Sequence, residues 1–369
     1  MRKFCFIIAW SLILWGCAKK PVKIGVVLPL SGSISSYGEM CLKGVELAAR
    51  LVNEKGGING RQVEVLVEND KGEVEEARAS IERLDKEGVV AIIGPLTTKV
   101  TAEVGEYADK LNLPLITPTA TGIEATKDRN WVWRVSFTDP FQAKILAKFA
   151  VQQLKLTSAC ALIDSTDPYS LGLYDSFEDE FTDRGGNILF IGRFSAGDTT
   201  FKEQLTAIKK CNPGCVFVPA LYKESKLIVR QARAMGLTQP FIGGDGWDAP
   251  EFFDYVKGTP GANYYSTSFF HDYSAGAEEM QQFLHAFRDE YGKEPPTFSA
   301  LGYDAFTVIE KCFELSGKVG RNEFKDNISK LSFTGVSGIM DFTASKDPKR
   351  SLIILKLESD TLTGEMIKF

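Results

Sequence analysis

Val89-Val90-Ala91-Ile92-Ile93-Gly94-Pro95-Leu96-Thr97-Thr98 and Leu113-Pro114-Leu115-Ile116-Thr117-Pro118-Thr119-Ala120-Thr121 share one pattern: a short apolar run that ends in a small polar cluster. Bounded apolar runs of this length read as strands buried on both faces. In an open parallel α/β sheet, ligands bind in the crevice outside the carboxyl ends of the strands. Hydroxyls and free backbone N–H groups there can hold a small carboxylate. Threonines at these places also suit the N-caps of following helices. Two such clusters on neighbouring strand ends favour a site over capping alone.

Working outward, strand and helix patterns alternate with few interruptions. Val22 to Leu28 is a strand run, Val45, Ala48, Ala49 and Val52 recur at helical spacing, and Gly56-Gly57 stops that helix. Val63 to Val67 alternates as a second strand, and Ala77, Ile81 and Leu84 mark a second helix. The pattern restarts after Trp131 to Ser136: helices are expected over 140–154, 171–184, 201–210 and 223–235, each followed by a strand, at 159–164, 188–191, 215–218 and 240–243. Helices over 277–291 and 297–315 precede strand-like runs at 339–342 and 352–357. The fold class is therefore α/β, with two doubly wound lobes built on mainly parallel sheets and a cleft between them. No low-complexity linker separates the two units, so a hinge of several crossovers is expected, near Val135, Ser268 and Phe342. The expected lobes are 22–135 with 269–341, and 136–268 with 342–369.

The N-terminus speaks for export. Arg2-Lys3 precedes an uncharged stretch from Phe4 to Gly16, too short for the roughly 20 residues of a membrane span, so residues 1–16 read as a signal peptide. Leu14-Trp15-Gly16-Cys17 resembles a bacterial lipobox, which implies lipidation of Cys17; Trp15 departs from the small residue usual there, and a plain signal peptide with an incidental cysteine is the alternative. The 369 residues carry 43 Lys+Arg against 48 Asp+Glu, a net charge of −5, with no basic stripe, which argues against a nucleic-acid partner. Removing Cys5 with the signal and Cys17 to lipid leaves Cys41, Cys160, Cys211, Cys215 and Cys312. A turn separates Cys211 from Cys215, so a local disulfide between them is geometrically open. His271 and His285 lie far from that pair and complete no four-ligand set, so neither a metal nor another cofactor is expected.

Six segments together resemble the leucine/isoleucine/valine-binding proteins of bacterial ABC importers, the type I periplasmic binding proteins. They are Leu30-Ser31-Gly32 with Tyr37-Gly38, Asn53-Glu54-Lys55-Gly56-Gly57-Ile58-Asn59-Gly60, Ile93-Gly94-Pro95, Ile116 to Thr121, Arg230-Gln231-Ala232-Arg233, and Gly243-Gly244-Asp245-Gly246-Trp247. The resemblance implies that Thr98 and Thr121 grip a ligand α-carboxylate, and that the carbonyl of Thr119 with Asp245 receives its α-ammonium. It places Tyr37, Leu96, Tyr169 and Phe298 in an apolar wall. A second-lobe tyrosine of the family falls on Leu221, with Tyr222 next to it. Thr97 stands where some members carry a disulfide cysteine, and no cysteine lies near Asp70 to match it. A zwitterion taken out of water needs donors for its carboxylate and acceptors for its ammonium, which agrees with these residue types.

The resemblance implies a monomeric, lipid-tethered solute-binding protein that takes an aliphatic or branched-chain amino acid to a membrane permease. A tethered ligand sensor, or a binder of another small amide or carboxylate, is the alternative. No Gly-x-x-x-x-Gly-Lys-Ser/Thr loop, His-Glu-x-x-His pair or Gly-x-Ser-x-Gly elbow occurs, so an enzyme is not expected.

Overall fold

The structure, a computed structural model, describes residues 19–271 and 278–367. The expected signal peptide and Cys17 lie outside the described residues.

Strand β1 (Val22–Leu28), helix α1 (Ser35–Glu54), β2 (Val63–Asn69), α2 (Val74–Lys86), β3 (Ala91–Ile93), α3 (Thr98–Leu111), β4 (Leu115–Thr117) and β5 (Val132–Arg134) follow one another. They form a five-stranded parallel sheet in the order β2-β1-β3-β4-β5. Alternate residues face opposite layers: Ile24, Val26 and Ile93 join the core under α1, whereas Val27 and Ile92 pack with Ile81, Val100 and Val104 of α2 and α3. Burial on both faces explains why these strands read as unbroken apolar runs.

The chain then enters a second unit through α4 (Asp139–Lys148), which widens into a π-turn over Phe149–Gln153. β6 (Ser158–Asp164), α5 (Pro168–Asp183), β7 (Asn187–Phe194), α6 (Lys202–Cys211), β8 (Cys215–Val218), α7 (Tyr222–Ala234), β9 (Phe241–Gly243), α8 (Pro250–Val256) and β10 (Asn263–Thr267) repeat the winding. Helices α9 (Glu278–Tyr291), α10 (Thr297–Ser316) and α11 (Arg321–Ile328) then return to the first sheet. Phe283 and Phe287 of α9 share a cluster with Leu47 of α1 and Ala300 of α10. At Gly44 a Cβ would sit 1.9 Å from the Ser299 carbonyl oxygen, so α1 and α10 touch backbone to backbone only because that residue is glycine. A small hairpin, β11 (Ser332–Gly335) and β12 (Gly338–Asp341), precedes β13 (Leu352–Glu358) and β14 (Thr361–Ile367). These last two strands close the second sheet, whose order is β14-β13-β10-β9-β8-β6-β7, with β13 antiparallel to both neighbours and the rest parallel.

Both sheets are thus doubly wound and mainly parallel. The chain passes between them three times, just beyond β5, β10 and β12, where Val135, Ser268 and Phe342 stand. Sequence periodicity overlooked α8, β10, α11, β11 and β14, and the expected single helix over 140–154 is an α-helix that loosens at Phe149.

Candidate functional site

The carboxyl ends of both sheets face one cleft, with about 380 Å³ of empty space counting the part open to solvent. Its lining comprises Tyr37, Leu96, Thr97, Thr98, Thr119, Thr121, Asp167, Tyr169, Leu221, Asp245, Gly246 and Phe298. Nine of the ten ligand-contact residues expected from sequence are therefore brought together, from seven separate segments. Tyr222 is the exception. Its hydroxyl donates to the Ser33 carbonyl, 3.1 Å, and its ring meets Tyr37 edge-on, so it backs the wall while Leu221 lines it.

The threonine loops after β3 and β4 are stitched to each other. Thr117 donates to the Pro95 carbonyl and Thr119 to the Leu96 carbonyl, both at 2.7 Å, and Thr98 Oγ1 accepts from the Gly122 amide at 3.0 Å. Thr97 is the N-cap of α3, accepting from the Val100 amide, so capping and site-forming threonines sit side by side. Behind the loop, the fully buried Arg134 at the end of β5 donates to the carbonyls of Ala120 and Gly122, both 2.9 Å, and to Thr126 Oγ1, 2.7 Å. Its Nε meets Asp347, from the third crossover. Arg134 thereby gives these buried loop carbonyls shorter, charge-assisted bonds beside those from Ser136 and the Ala125 amide, both 3.2 Å.

On the other side, Asp245 opens a short 3₁₀ turn after β9. Its Oδ1 accepts from Tyr169 OH, 3.0 Å, and from Gln142 Nε2, 3.1 Å; the same Gln142 nitrogen donates to Asp139, 2.7 Å, and Ser266 donates to Gln142 Oε1. The Gly-Gly-Asp-Gly stretch allows this close packing: a Cβ on Gly244 would stand 2.4 Å from the Tyr169 hydroxyl. Burial pushes the Asp245 carboxyl up to about 6, with the Gln142 and Tyr169 hydrogen bonds opposing. Burial, reinforced by the charge of Asp245, raises Asp139 well above the usual carboxylate range, with hydrogen bonds from Thr121 and Gln142 opposing the shift. Asp167, the N-cap of α5, is likewise raised by burial to about 6.

The apolar wall is aromatic. Tyr37 stacks on Phe298 with ring centroids 4.4 Å apart and planes 8° from parallel. The Tyr37 hydroxyl donates to the Gly246 carbonyl and accepts from the Tyr222 amide, so one side chain of the first unit is hydrogen-bonded to two segments of the second. Ser36 donates to Glu251 at 2.9 Å across the same gap. The structure is therefore the form in which the two units meet over the cleft.

Sequence reasoning missed Thr97, Asp167 and Gly246 in the lining. Asp167-Pro168 carried a helix-start signature that marked its loop. Gln142 and Asp139, which orient the site from behind, had no such signal.

Two α/β units with sites at facing strand ends and three crossovers define a family. The periplasmic binding protein family profile matches residues 21–361, nearly all of the chain. This chain belongs to the periplasmic binding proteins. It is similar to the leucine binding protein of Thermotoga maritima MSB8, with 32% identity and a TM-score of 0.87 over 94% of this chain and 99% of that one. It is equally similar to the branched-chain amino acid transporter substrate binding protein of Streptococcus pneumoniae, solved with isoleucine: 32% identity and a TM-score of 0.88 over 95% and 100%. A Leu/Ile/Val-binding protein homolog of Brucella melitensis is 27% identical over 233 residues, 63% of either chain, so this match spans less than two thirds of that relative. Within the periplasmic binding proteins, the chain falls in the Leu/Ile/Val-binding group. Among the described residues no helix is long and apolar enough to cross a membrane.

Proposed function

We propose that this periplasmic binding protein captures an aliphatic amino acid between its lobes and delivers it to the permease of an ABC importer. The observation that carries the reading is the polarity of the cleft: hydroxyls and amides from the first unit face a carboxylate from the second, with an aromatic and aliphatic wall beside them. Thr98 and Thr121 hold the α-carboxylate, and the Thr119 carbonyl and Asp245 take the α-ammonium. The ligand's side chain rests among Tyr37, Leu96, Tyr169, Leu221 and Phe298. Leu221 adds an aliphatic side chain to this wall.

Calorimetric titration of the mature protein with leucine, isoleucine and valine, beside glutamate and lysine, tests the reading. Saturable binding confined to the aliphatic ligands is expected. Preference for an anion that lacks an amine would overturn it, because Asp245 would then face a like charge.

Ligand contacts from both lobes stabilise the closed form over the open one, since only the closed form makes all of them. Small-angle scattering is expected to show a smaller radius of gyration at saturating ligand. A radius that does not change on saturation rules out hinge closure about the segments at Val135, Ser268 and Phe342.

We further propose that Cys17 is the lipidated first residue of the mature chain. Cys17→Ser is expected to move the protein from the membrane fraction to the soluble fraction. Unchanged fractionation, or an intact signal peptide by mass spectrometry, counts against the anchor.

A further inference from the structure

Cys160, Cys211 and Cys215 converge at one end of the second sheet, and all five described cysteines are unbridged. The strand register decides which of them can pair. β6 and β8 run side by side with Cys160 opposite Val216 and Ala159 opposite Cys215, so the side chains of Cys160 and Cys215 leave opposite faces of the sheet. Cys215 packs with Ala159, Ala161 and Phe217 in one core layer. Cys160 lies in the other layer, with Phe201, Leu205 and Ile208 of α6, and Cys211, the last residue of α6, packs against that same layer. Cys160 and Cys211 thus share one core layer, and the Cys211 thiol adds to burial in pushing the Cys160 thiol up. The turn between Cys211 and Cys215 brings their backbones together while the sheet keeps their sulfurs apart.

We propose that Cys160 and Cys211 form a disulfide pair that ties α6 to β6 when the chain meets a small-molecule or enzyme-borne disulfide. The half-buried Cys211 thiolate attacks the incoming disulfide and releases one thiol. The Cys160 thiol then gives up its proton to solvent and attacks the Cys211 sulfur, releasing the second. Two protein thiols and one external disulfide become one protein disulfide and two external thiols. Burial in the folded chain hinders the second step, so closure during folding is favoured. In the cell this proposal rests on the exported location; with purified protein it does not.

The test treats the full chain with oxidised glutathione during refolding, traps remaining thiols with an alkylating reagent, and maps peptides without reductant. A Cys160–Cys211 linked peptide is expected, with Cys41, Cys215 and Cys312 alkylated. Cys215→Ser is expected to keep the link. Reduction is expected to lower Tm by roughly 5 °C in the parent, because a long loop is released, and to leave Cys211→Ser unmoved. Full alkylation of both Cys160 and Cys211 after oxidation, or a Cys211–Cys215 link, overturns the pairing. Protein recovered from cells without the link, when refolded protein carries it, argues against export and leaves the pair intact.

Discussion

Asp245→Ala is expected to weaken amino-acid binding by roughly 3–5 kcal/mol, about a hundredfold to several thousandfold, because it leaves the ligand's ammonium buried without its anionic partner. Asp245→Asn is expected to be nearly as damaging, since the amide keeps the shape and removes the charge. Both variants are expected to fold. Asp245 lines the cleft, and its burial is opposed by two hydrogen bonds that Tyr169 and Gln142 can redirect to each other or to water. The same carboxyl sets a pH dependence. With its acid pushed up to about 6, Asp245 is mostly protonated at pH 5 and mostly ionised at pH 7. Affinity is expected to rise about tenfold over that interval, as an acceptor of that pKa charges. The unliganded fold responds oppositely: a folded-state acid raised above its unfolded value of 3.8 binds more protons than the unfolded chain between about pH 4 and 6. Its contribution to stability is therefore lost as pH rises through that window. Titration calorimetry at pH 5, 6 and 7, with circular dichroism on each variant, checks both signs. A folded Asp245→Ala protein that binds leucine within threefold of the parent, with a flat pH profile, would show that the ammonium lies elsewhere.

The legible parts of this molecule are those where burial is two-sided. β1, β3, β6 and β8 are covered by helices on both faces, so nearly every residue is apolar and the runs stand out. β10 is just as central yet reads Asn-Tyr-Tyr-Ser-Thr, because its polar groups have partners that only the fold supplies: Asn263 accepts from Arg233, Ser266 donates to Gln142, and Thr267 donates to Asp248. β14 lies at a sheet edge and carries the mixed polarity of a strand covered on one side. The site divides along a similar line. Thr98, Thr121 and Asp245 sit in short polar clusters directly after apolar strands, a position with few structural demands and therefore one that draws attention. Leu221 and Tyr222 could not be separated by sequence, since adjacent residues at a helix start differ in direction and not in type; the cap geometry of α7 turns Leu221 inward. Asp139, Gln142 and Arg134 look like surface residues when read along the chain, and their burial is visible only once the loops they hold are in place.

Arg134 carries the second large expectation. Arg134→Ala is expected to lower folding stability by roughly 3–5 kcal/mol, the range for removing one member of a buried charge network. Its guanidinium is wholly buried and spends its donors on Ala120, Gly122, Thr126 and Asp347, so deletion leaves the two carbonyls only their longer bonds from Ser136 and the Ala125 amide and removes the cationic partner of a half-buried carboxylate. Losing several hydrogen bonds to a charged group, each contributing about 1.5–3 kcal/mol, reaches this range without any change in packing. Arg134→Lys is expected to recover little, because an ammonium is a single point of donation and the four acceptors lie around a planar fork. The loop so released is the one that presents Thr119 and Thr121 to the cleft, and Gly122, whose amide meets Thr98, belongs to it. Ligand affinity is therefore expected to fall together with stability, although Arg134 is absent from the cleft lining. Urea unfolding of both variants, with and without leucine, measures the two effects separately. A loss of stability below about 1 kcal/mol would mean that water reaches the loop and takes over the guanidinium's bonds, and the anchoring role of Arg134 would then be withdrawn.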